Sequence, residues 1–390
     1  MSKPGTVIIN QPPSKVSLFS EYDDLIDLSN PYFVSHLITY IGNKRKLLPF
    51  LHTSILDVKK KLGKNKLSSF DGFAGSGVVS RLLKYHSSKV ISNDFEGYTK
   101  TINGAYLANK SEVNAKLLNE AIEFLNESKL TQTDSPYFIT NNYAPKDDVN
   151  IKNGERVFYT NKNARIIDNV RYLIDEKIDP NVQIYCLANL LIKASIHTNT
   201  SGVFKGFHKR NGVGHFGGHG ANALMRIKKE ISLEMPIFSD IECDVDIQKE
   251  DTNTLVEKMP EVDLAYYDPP YNQHPYGSNY FMLNLINDGN PAEIQSGVSG
   301  IARDWQRSAY NKTKSAIDAM DGLLENTKAK FIAISYNNEG IIPIEIFRSI
   351  LDKHGKWELY EKEYNTYRGS RNLRDRNIKV QELLWVLQKN

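Results

Sequence analysis

The sequence predicts an α/β protein, a sheet with strand–loop–helix units interrupted by a large insertion of mainly helical character. Three observations carry the prediction. A small-residue loop joins a strand to a helix at residues 71–77, the same rhythm resumes near residue 262 after a long helical stretch, and two alternating strands lie near the C-terminus.

In chain order, the first organised segment runs from Leu37 to Leu62, where Ile41-Gly42-Asn43-Lys44 leads into a helix from about Lys46. A short apolar strand ends at Phe70-Asp71, followed by the loop Gly72-Phe73-Ala74-Gly75-Ser76-Gly77 and a helix from Val78 to about Tyr85. Lys89-Val90-Ile91-Ser92 reads as a second strand, closed by Asn93-Asp94, with another helix after it. Strand, glycine loop, helix, strand and acidic residue form the first half of a nucleotide-binding α/β unit.

From about Ser111 to Met235 the pattern predicts helices near 112–129, 162–177 and 180–197, separated by polar, Gly-rich or Asn-rich loops. The stretch Ser201–Gly220 reads as a long loop, which in a compact protein is usually functional. The α/β rhythm returns with a strand Val262–Tyr267, the turn Asp268-Pro269-Pro270-Tyr271, a helix near 312–326 and a strand Lys330–Tyr336. Strands at about Trp357–Tyr364 and Lys379–Val386 predict an antiparallel hairpin at a sheet edge. The chain thus divides into an N-terminal extension (1–34), a first α/β part (35–110), an insertion (111–235) and a second α/β part (236–390).

With 390 residues, 40% hydrophobic and 24% charged, the chain has the size and composition of a globular protein of one large or two ordinary domains. No run of eighteen apolar residues predicts a membrane span, and the N-terminus lacks the basic-then-apolar layout of a signal peptide. Cys186 and Cys243 have neither metal-ligand nor redox-motif spacing, so a reduced, cytosolic setting without structural zinc is expected. The net charge of +3 says little about partners, but its distribution says more. Lys205, Lys209, Arg210, Arg226, Lys228 and Lys229 fall in a stretch, Asn199–Lys229, that contains no Asp or Glu. A second cluster, Arg368, Arg371, Arg374 and Arg376, is opposed only by Asp375. Local patches of this kind suit a polyanion.

Glycines after a strand let the backbone turn tightly and approach a ligand at the carboxyl edge of a sheet. The loop Asp71–Gly77 has neither the Gly-x-Gly-x-x-Gly dinucleotide spacing nor the Gly-Lys-Ser/Thr ending of a phosphate loop, which argues against NAD and ATP. Asp94, at the end of the next strand, stands where a carboxylate can accept hydrogen bonds from two ribose hydroxyls. Asp268-Pro269-Pro270-Tyr271 is the sharpest signal. Its prolines remove two backbone donors and fix the chain, so that an aspartate carboxylate and a proline carbonyl form an acceptor pair. An aromatic amino group offers two matching N–H donors. Its nitrogen lone pair is delocalised into the ring, and two such hydrogen bonds encourage the pyramidal geometry that frees it for attack. Tyr271 could stack on the same base.

The ordered set Tyr40-Ile41-Gly42-Asn43-Lys44, Asp71–Gly77, Asn93-Asp94 and Asp268–Tyr271 resembles the Dam-type (alpha-group) DNA adenine methyltransferases, which include many partners of bacterial restriction endonucleases. The resemblance covers about Thr39–Asp94 and Val262–Leu387, and the middle more loosely. Phe158-Tyr159-Thr160, Thr198–Phe204 and Ser335–Gly340 are similar to restriction-associated members. Where Tyr40 stands the family often has tryptophan, and where Gly42-Asn43 stands it often has Gly-Gly.

The resemblance implies a Rossmann-like class I S-adenosylmethionine-dependent methyltransferase sheet, with cofactor motifs first, a target-recognition region second and the catalytic tetrad last. S-adenosyl-L-methionine would be the cofactor. Tyr40, Lys44, Asp71, Phe73, Gly75, Gly77 and Asp94 would hold it, with Asp268 between cofactor and target base, and Asp268, Pro269 and Tyr271 would be catalytic. The implied partners are double-stranded DNA, from which the adenine is flipped, and a cognate restriction endonuclease, with no membrane and no metal requirement, in the bacterial cytoplasm. Lys205, Lys209 and Arg210, with His208, His215 and His219, are candidates for base readout, and Arg368, Arg371 and Arg374 for clamping phosphates. Two other readings stay open at this level: an RNA base amino-group methyltransferase, and a non-catalytic nucleic-acid-binding subunit that keeps the fold. The acceptor pair would also serve a cytosine amino group.

Overall fold

The computed structural model describes residues 6–8, 26–35, 37–273, 275–289, 297–301, 305, 307–365 and 379–390. In chain order the strands are β1 (Thr6–Ile8), β2 (Leu67–Asp71), β3 (Ser87–Asp94), β4 (Lys209–Arg210), β5 (Val213–Gly214), β6 (Asp244–Lys249), β7 (Val262–Tyr267), β8 (Ala329–Asn337), β9 (Gly355–Asn365) and β10 (Lys379–Lys389). Eight of them form a sheet in the order β1-β9-β10-β8-β7-β2-β3-β6. The pairs β6–β3, β3–β2, β2–β7 and β7–β8 are parallel, whereas β10 runs antiparallel to both β8 and β9.

The sheet is covered on both faces, and alternation along the strands shows how. Ala265, Tyr267, Ile332, Ile334 and Trp385 pack on one face with helices 252–258, 313–326 and 344–354. Leu264, Tyr266, Phe331, Ala333 and Leu384 pack on the other with helices 48–62 and 78–86. Every residue of β7 is buried, including Asp263, whose carboxylate is paired with Lys64 and Lys330.

The helical part shares a core with the α/β part. Tyr98 and Ile102 of helix 97–106 and Phe281 and Ile286 of helix 281–288 join residues from helices 115–128, 161–177 and 180–196 in one buried cluster. The caps explain where these helices begin. Asn114 accepts the N–H of Leu117, Thr160 that of Asn163, and Asp179, followed by Pro180, that of Asn181.

Several elements differ from the sequence expectation. The terminal hairpin is not the sheet edge, because β1 adds in parallel to β9. Residues 31–34 form a short helix whose Tyr32 and Phe33 are buried in the core. The edge strand β6 escapes a hydrophobicity reading because Asp244, Asp246 and Gln248 alternate with Val245 and Ile247. The stretch 201–220 contains the β4–β5 hairpin, turned by Asn211 (φ 51°) and Gly212 (φ 84°). Asn-Gly with both φ positive is a hairpin signal legible in sequence. Among the described residues, no helix is long and apolar enough to cross a membrane.

Candidate active site

Three adjacent parallel strands, β3, β2 and β7, end at the same edge of the sheet, and an acidic side chain stands at each end. The register pairs Asp71 with Ser92 on one side and Tyr266 on the other, so Asp94 and Asp268 each lie two residues beyond a partner of Asp71. Asp71, Asp94 and Asp268 line one cleft with about 850 Å³ of open space, together with Tyr40, Lys44, Phe73 and Gly75.

The glycine loop is tied down at several points. Gly72 donates its N–H to Tyr266 O at 3.0 Å and Ala74 to Asn93 O at 2.9 Å. Gly75 donates to Asp94 Oδ2 at 2.8 Å, and Glu96 N–H to Asp94 Oδ1 at 3.0 Å. Gly75 has φ 51°, and a Cβ there would lie 2.7 Å from the Tyr40 ring. Gly77 does not line the cleft; with φ 74° it is the residue from which helix 78–86 starts. Phe73 packs edge-on against Tyr267 and Tyr310.

The carboxyl groups are electrostatically stressed. Burial pushes Asp71 up to about 7, against the Ser80 hydroxyl that donates to its Oδ2 at 2.6 Å, with Asp268 and Asp94 adding to the rise. Burial also raises Asp94, opposed by the N–H groups of Glu96 and Gly75. For Asp268, burial raises the value to about 6, with Lys44 pulling it down and Glu382 pushing it up.

Lys44 is buried and ion-paired with two carboxylates, Asp268 Oδ1 at 3.1 Å and Glu382 Oε1 at 2.7 Å. Burial alone would lower its pKa, but Asp268, Tyr271, Glu382 and Tyr266 outweigh burial and hold it well above the ordinary lysine value. Pro269 is buried, and Pro270 lines the cleft. The Tyr271 ring packs edge-on against Tyr336 at 5.9 Å, with the Lys44 ammonium 5.4 Å from its centroid. Its backbone carbonyl accepts the N–H of Ile341 at 3.0 Å.

Tyr40 stacks on Tyr276 and Tyr280, each with ring centroids 5.0 Å away. The same two tyrosines grip the next residue: Tyr276 donates its hydroxyl to Ile41 O at 2.9 Å, and Tyr280 Oη accepts Ile41 N–H at 2.8 Å. Positive φ falls on Gly42 (76°) rather than Asn43, whose Oδ1 accepts the N–H of Arg45 at 2.9 Å. Asn43 therefore closes a turn that a second glycine is not needed to form.

Sequence reasoning missed Tyr276, Tyr280, Glu96, Asn311 and Glu382. Glu96 lines the cleft, accepts from Asn284 Nδ2 at 2.6 Å and is pushed by burial to about 7. Asn311 also lines it, donating to Asn272 O at 2.8 Å while its buried Oδ1 has no hydrogen-bond partner among the described residues. The acid two residues after Asp94 was a legible signal for Glu96; nothing in the sequence pattern singled out the others.

Lys205, Lys209 and Arg210 do not line the carboxylate cleft. All three are exposed, the last two on β4, and Lys209 extends over the Phe207 ring at 4.9 Å. Buried Asn199 anchors this hairpin, donating to Val157 O at 2.8 Å and His215 O at 3.0 Å and accepting Gly217 N–H at 3.2 Å. His215 is exposed and His208 half-buried. Arg226 is consumed internally by the carbonyls of Ile196 and Thr198. The side chain of His219 and the whole of Arg368, Arg371, Arg374 and Arg376 lie outside the described residues.

Comparison with known proteins identifies the assembly. The chain is 30% identical over 364 residues to the type II methyltransferase M.NlaIII of Neisseria lactamica, covering 90% of this chain and 99% of that protein. It is 28% identical over 340 residues to the type II methyltransferase M.CviAII of Paramecium bursaria Chlorella virus 1, covering 85% and 93%. It is 27% identical over 365 residues to the modification methylase LlaI of Lactococcus lactis subsp. lactis, of whose length it covers 55%. These matches leave the RNA-modifying and non-catalytic readings without support. Residues 40–350 match the family model for D12 class N6 adenine-specific DNA methyltransferases, and the chain belongs to that family.

Proposed function

We propose that the enzyme transfers a methyl group from S-adenosyl-L-methionine to the 6-amino group of an adenine flipped out of duplex DNA, as the modification partner of a restriction endonuclease in the bacterial cytoplasm. The observation that carries this reading is the convergence of Asp94, Asp71 and Asp268 on one cleft at the carboxyl edge of adjacent parallel strands. The donor set fits such a cofactor. Asp94 keeps acceptor capacity beyond the two N–H groups it binds, which suits ribose hydroxyls. Asp71 leaves Oδ1 without a hydrogen-bond partner among the described residues, which suits a cationic group. Tyr40, Lys44, Phe73 and Gly75 complete the binding surface in this reading, while Gly77 starts the helix that follows the loop.

The cofactor, when bound, supplies an electrophilic methyl group on sulfur. The chain's own residues do the rest. Asp268 and the Pro269 carbonyl accept the two amino hydrogens, directing the nitrogen lone pair toward the methyl and stabilising the positive charge that grows there. The Asp268 carboxylate, pushed to about 6, can then take the surplus proton from nitrogen. Tyr271 provides a ring beside the base.

In this reading residues 111–235 recognise the target, with Lys205, Lys209 and Arg210 reading bases and Arg368, Arg371 and Arg374 holding phosphates around the flipped nucleotide. Labelled methyl transfer to duplex DNA, single-stranded DNA and RNA tests the proposal. Label in duplex adenine is expected; label confined to RNA or to cytosine would overturn it. Mapping methylated adenines in DNA from expressing cells then reads out the target sequence.

A further inference from the structure

The ion pair at the tetrad is a bridge of three groups, two of them buried and the third, Asp268, partly exposed to the cleft. Lys44 Nζ lies 2.7 Å from Glu382 Oε1 and 3.1 Å from Asp268 Oδ1, with the Lys44 and Glu382 side chains 5% and 4% exposed and Asp268 18% exposed. Glu382 comes from β10, two strands away from β7, and its backbone pairs with Asn337 of β8. It belongs to none of the motifs that carry the family resemblance. The shorter contact is the one to Glu382, so the ammonium leans away from the tetrad.

This matters because an ammonium and a target amino group compete for the same oxygens. Charge-assisted hydrogen bonds are roughly twice as strong as neutral ones, so a lysine with Asp268 as its sole partner would hold that carboxylate more tightly than the base could. A second carboxylate on the far side divides the attraction. We propose that Glu382 is a positioning residue for methyl transfer: it holds Lys44 on the β10 side, so that the Asp268 carboxylate meets the amino group rather than being closed by the lysine. Lys44 then orients Asp268 without consuming it. The inference rests on Asp268 as the amino-group acceptor.

The test is steady-state methylation of duplex DNA by E382Q, E382D, K44M and K44M/E382M, with S-adenosylmethionine affinity measured by calorimetry and folding by thermal melting. E382Q keeps the shape and loses the charge. Its kcat is expected to fall on the order of 10²-fold, the cost of a small misplacement near the chemistry, while KM for DNA and cofactor affinity change little. E382D should recover part of kcat. Because Glu382 acts through Lys44, K44M/E382M should be no slower than K44M, as groups acting as a unit are non-additive.

Full kcat in E382Q, or losses that multiply in the double variant, would overturn the inference. If E382Q does not fold, K44M against K44M/E382M decides, because the double variant removes the Glu382 charge that K44M leaves unpaired and both variants leave Asp268 without Lys44. Equal kcat supports the proposal, and a further drop overturns it. D268A separates the two levels: an active D268A removes the tetrad assignment itself, whereas an inactive D268A beside a fully active E382Q removes only the role of Glu382.

Discussion

Gly75 donates its backbone N–H to the Asp94 carboxylate at 2.8 Å, which makes the glycine loop and the end of β3 a single unit. The loop cannot take up a side chain at this point. Its φ of 51° lies in the left-handed region, where a non-glycine residue costs roughly 1–2 kcal/mol, and an added Cβ would press on Tyr40. Gly75→Ala is therefore expected to weaken S-adenosylmethionine binding about tenfold or more, since 1.4 kcal/mol is a factor of ten. Asp94→Ala should do at least as much, because it also orphans two N–H groups at about 1–3 kcal/mol each. Calorimetric titration of cofactor checks both, and an unchanged Kd in either variant would remove that residue from the binding surface.

The pH dependence follows from Asp268, which burial pushes to about 6 against the pull of Lys44. Glu382 faces it from β10, Asp71 from β2, Tyr266 from β7, and Tyr271 from the tetrad. If the ionised carboxylate is the acceptor, kcat rises with pH through about 6 and then levels. Stability runs the other way. A carboxyl group whose folded pKa lies above its ordinary value near 3.8 contributes stability that is fully present below that value and lost as pH rises through about 6. Compared with Asp268→Asn, the native enzyme should thus lose relative stability between about pH 4 and 7 while gaining activity. Melting curves and a pH–rate profile test the two limbs separately.

Tyr271 separates base stacking from simple packing. Its ring sits against Tyr336 and under the Lys44 ammonium. Tyr271→Phe keeps both faces of the ring, so its methylation kinetics should stay within a few-fold. Tyr271→Ala removes a stacking surface worth about 1–3 kcal/mol per base and should raise KM for DNA about tenfold or more. Equal kinetics for Ala and Phe would mean that the ring makes no contact with the base.

The legible parts of this protein are those whose chemistry is local. The loop at 71–77, Asp94 and Asp268–Tyr271 each announce themselves in a few consecutive residues, and strands β7 and β8 are legible from their mostly apolar segments despite Asp263 and Lys330. What the sequence hides is assembled across distance. Tyr276 and Tyr280 matter because they reach Ile41, more than two hundred positions earlier, and Glu382 because β10 inserts beside β8. Even Lys44, singled out as a cofactor ligand, gives no local sign of its two carboxylate partners. The β4–β5 hairpin is a different case. Asn211-Gly212 carried the signal, but the surrounding glycines made the stretch look like a plain loop.

If that hairpin carries the proposed base readout, it separates DNA recognition from catalysis. Asn199 holds it through three hydrogen bonds to Val157, His215 and Gly217, and none of these residues lines the carboxylate cleft. Asn199→Ala should therefore weaken duplex binding while leaving cofactor affinity unchanged. Arg210→Ala, if Arg210 reads a base edge, should relax discrimination at one position by about 1–3 kcal/mol and leave the salt dependence nearly intact. Arg371→Ala with Arg374→Ala should do the reverse. Each phosphate left without its neutralising cation lowers the slope of log K against log salt by about 0.9, so the double variant should flatten it by nearly two and weaken all sequences alike. Binding titrations across a salt series, on the target duplex and on single-base variants, measure both quantities. A flattened slope in Arg210→Ala would move that residue from base readout to the backbone, and an unchanged slope in the double variant would take both arginines off the phosphates.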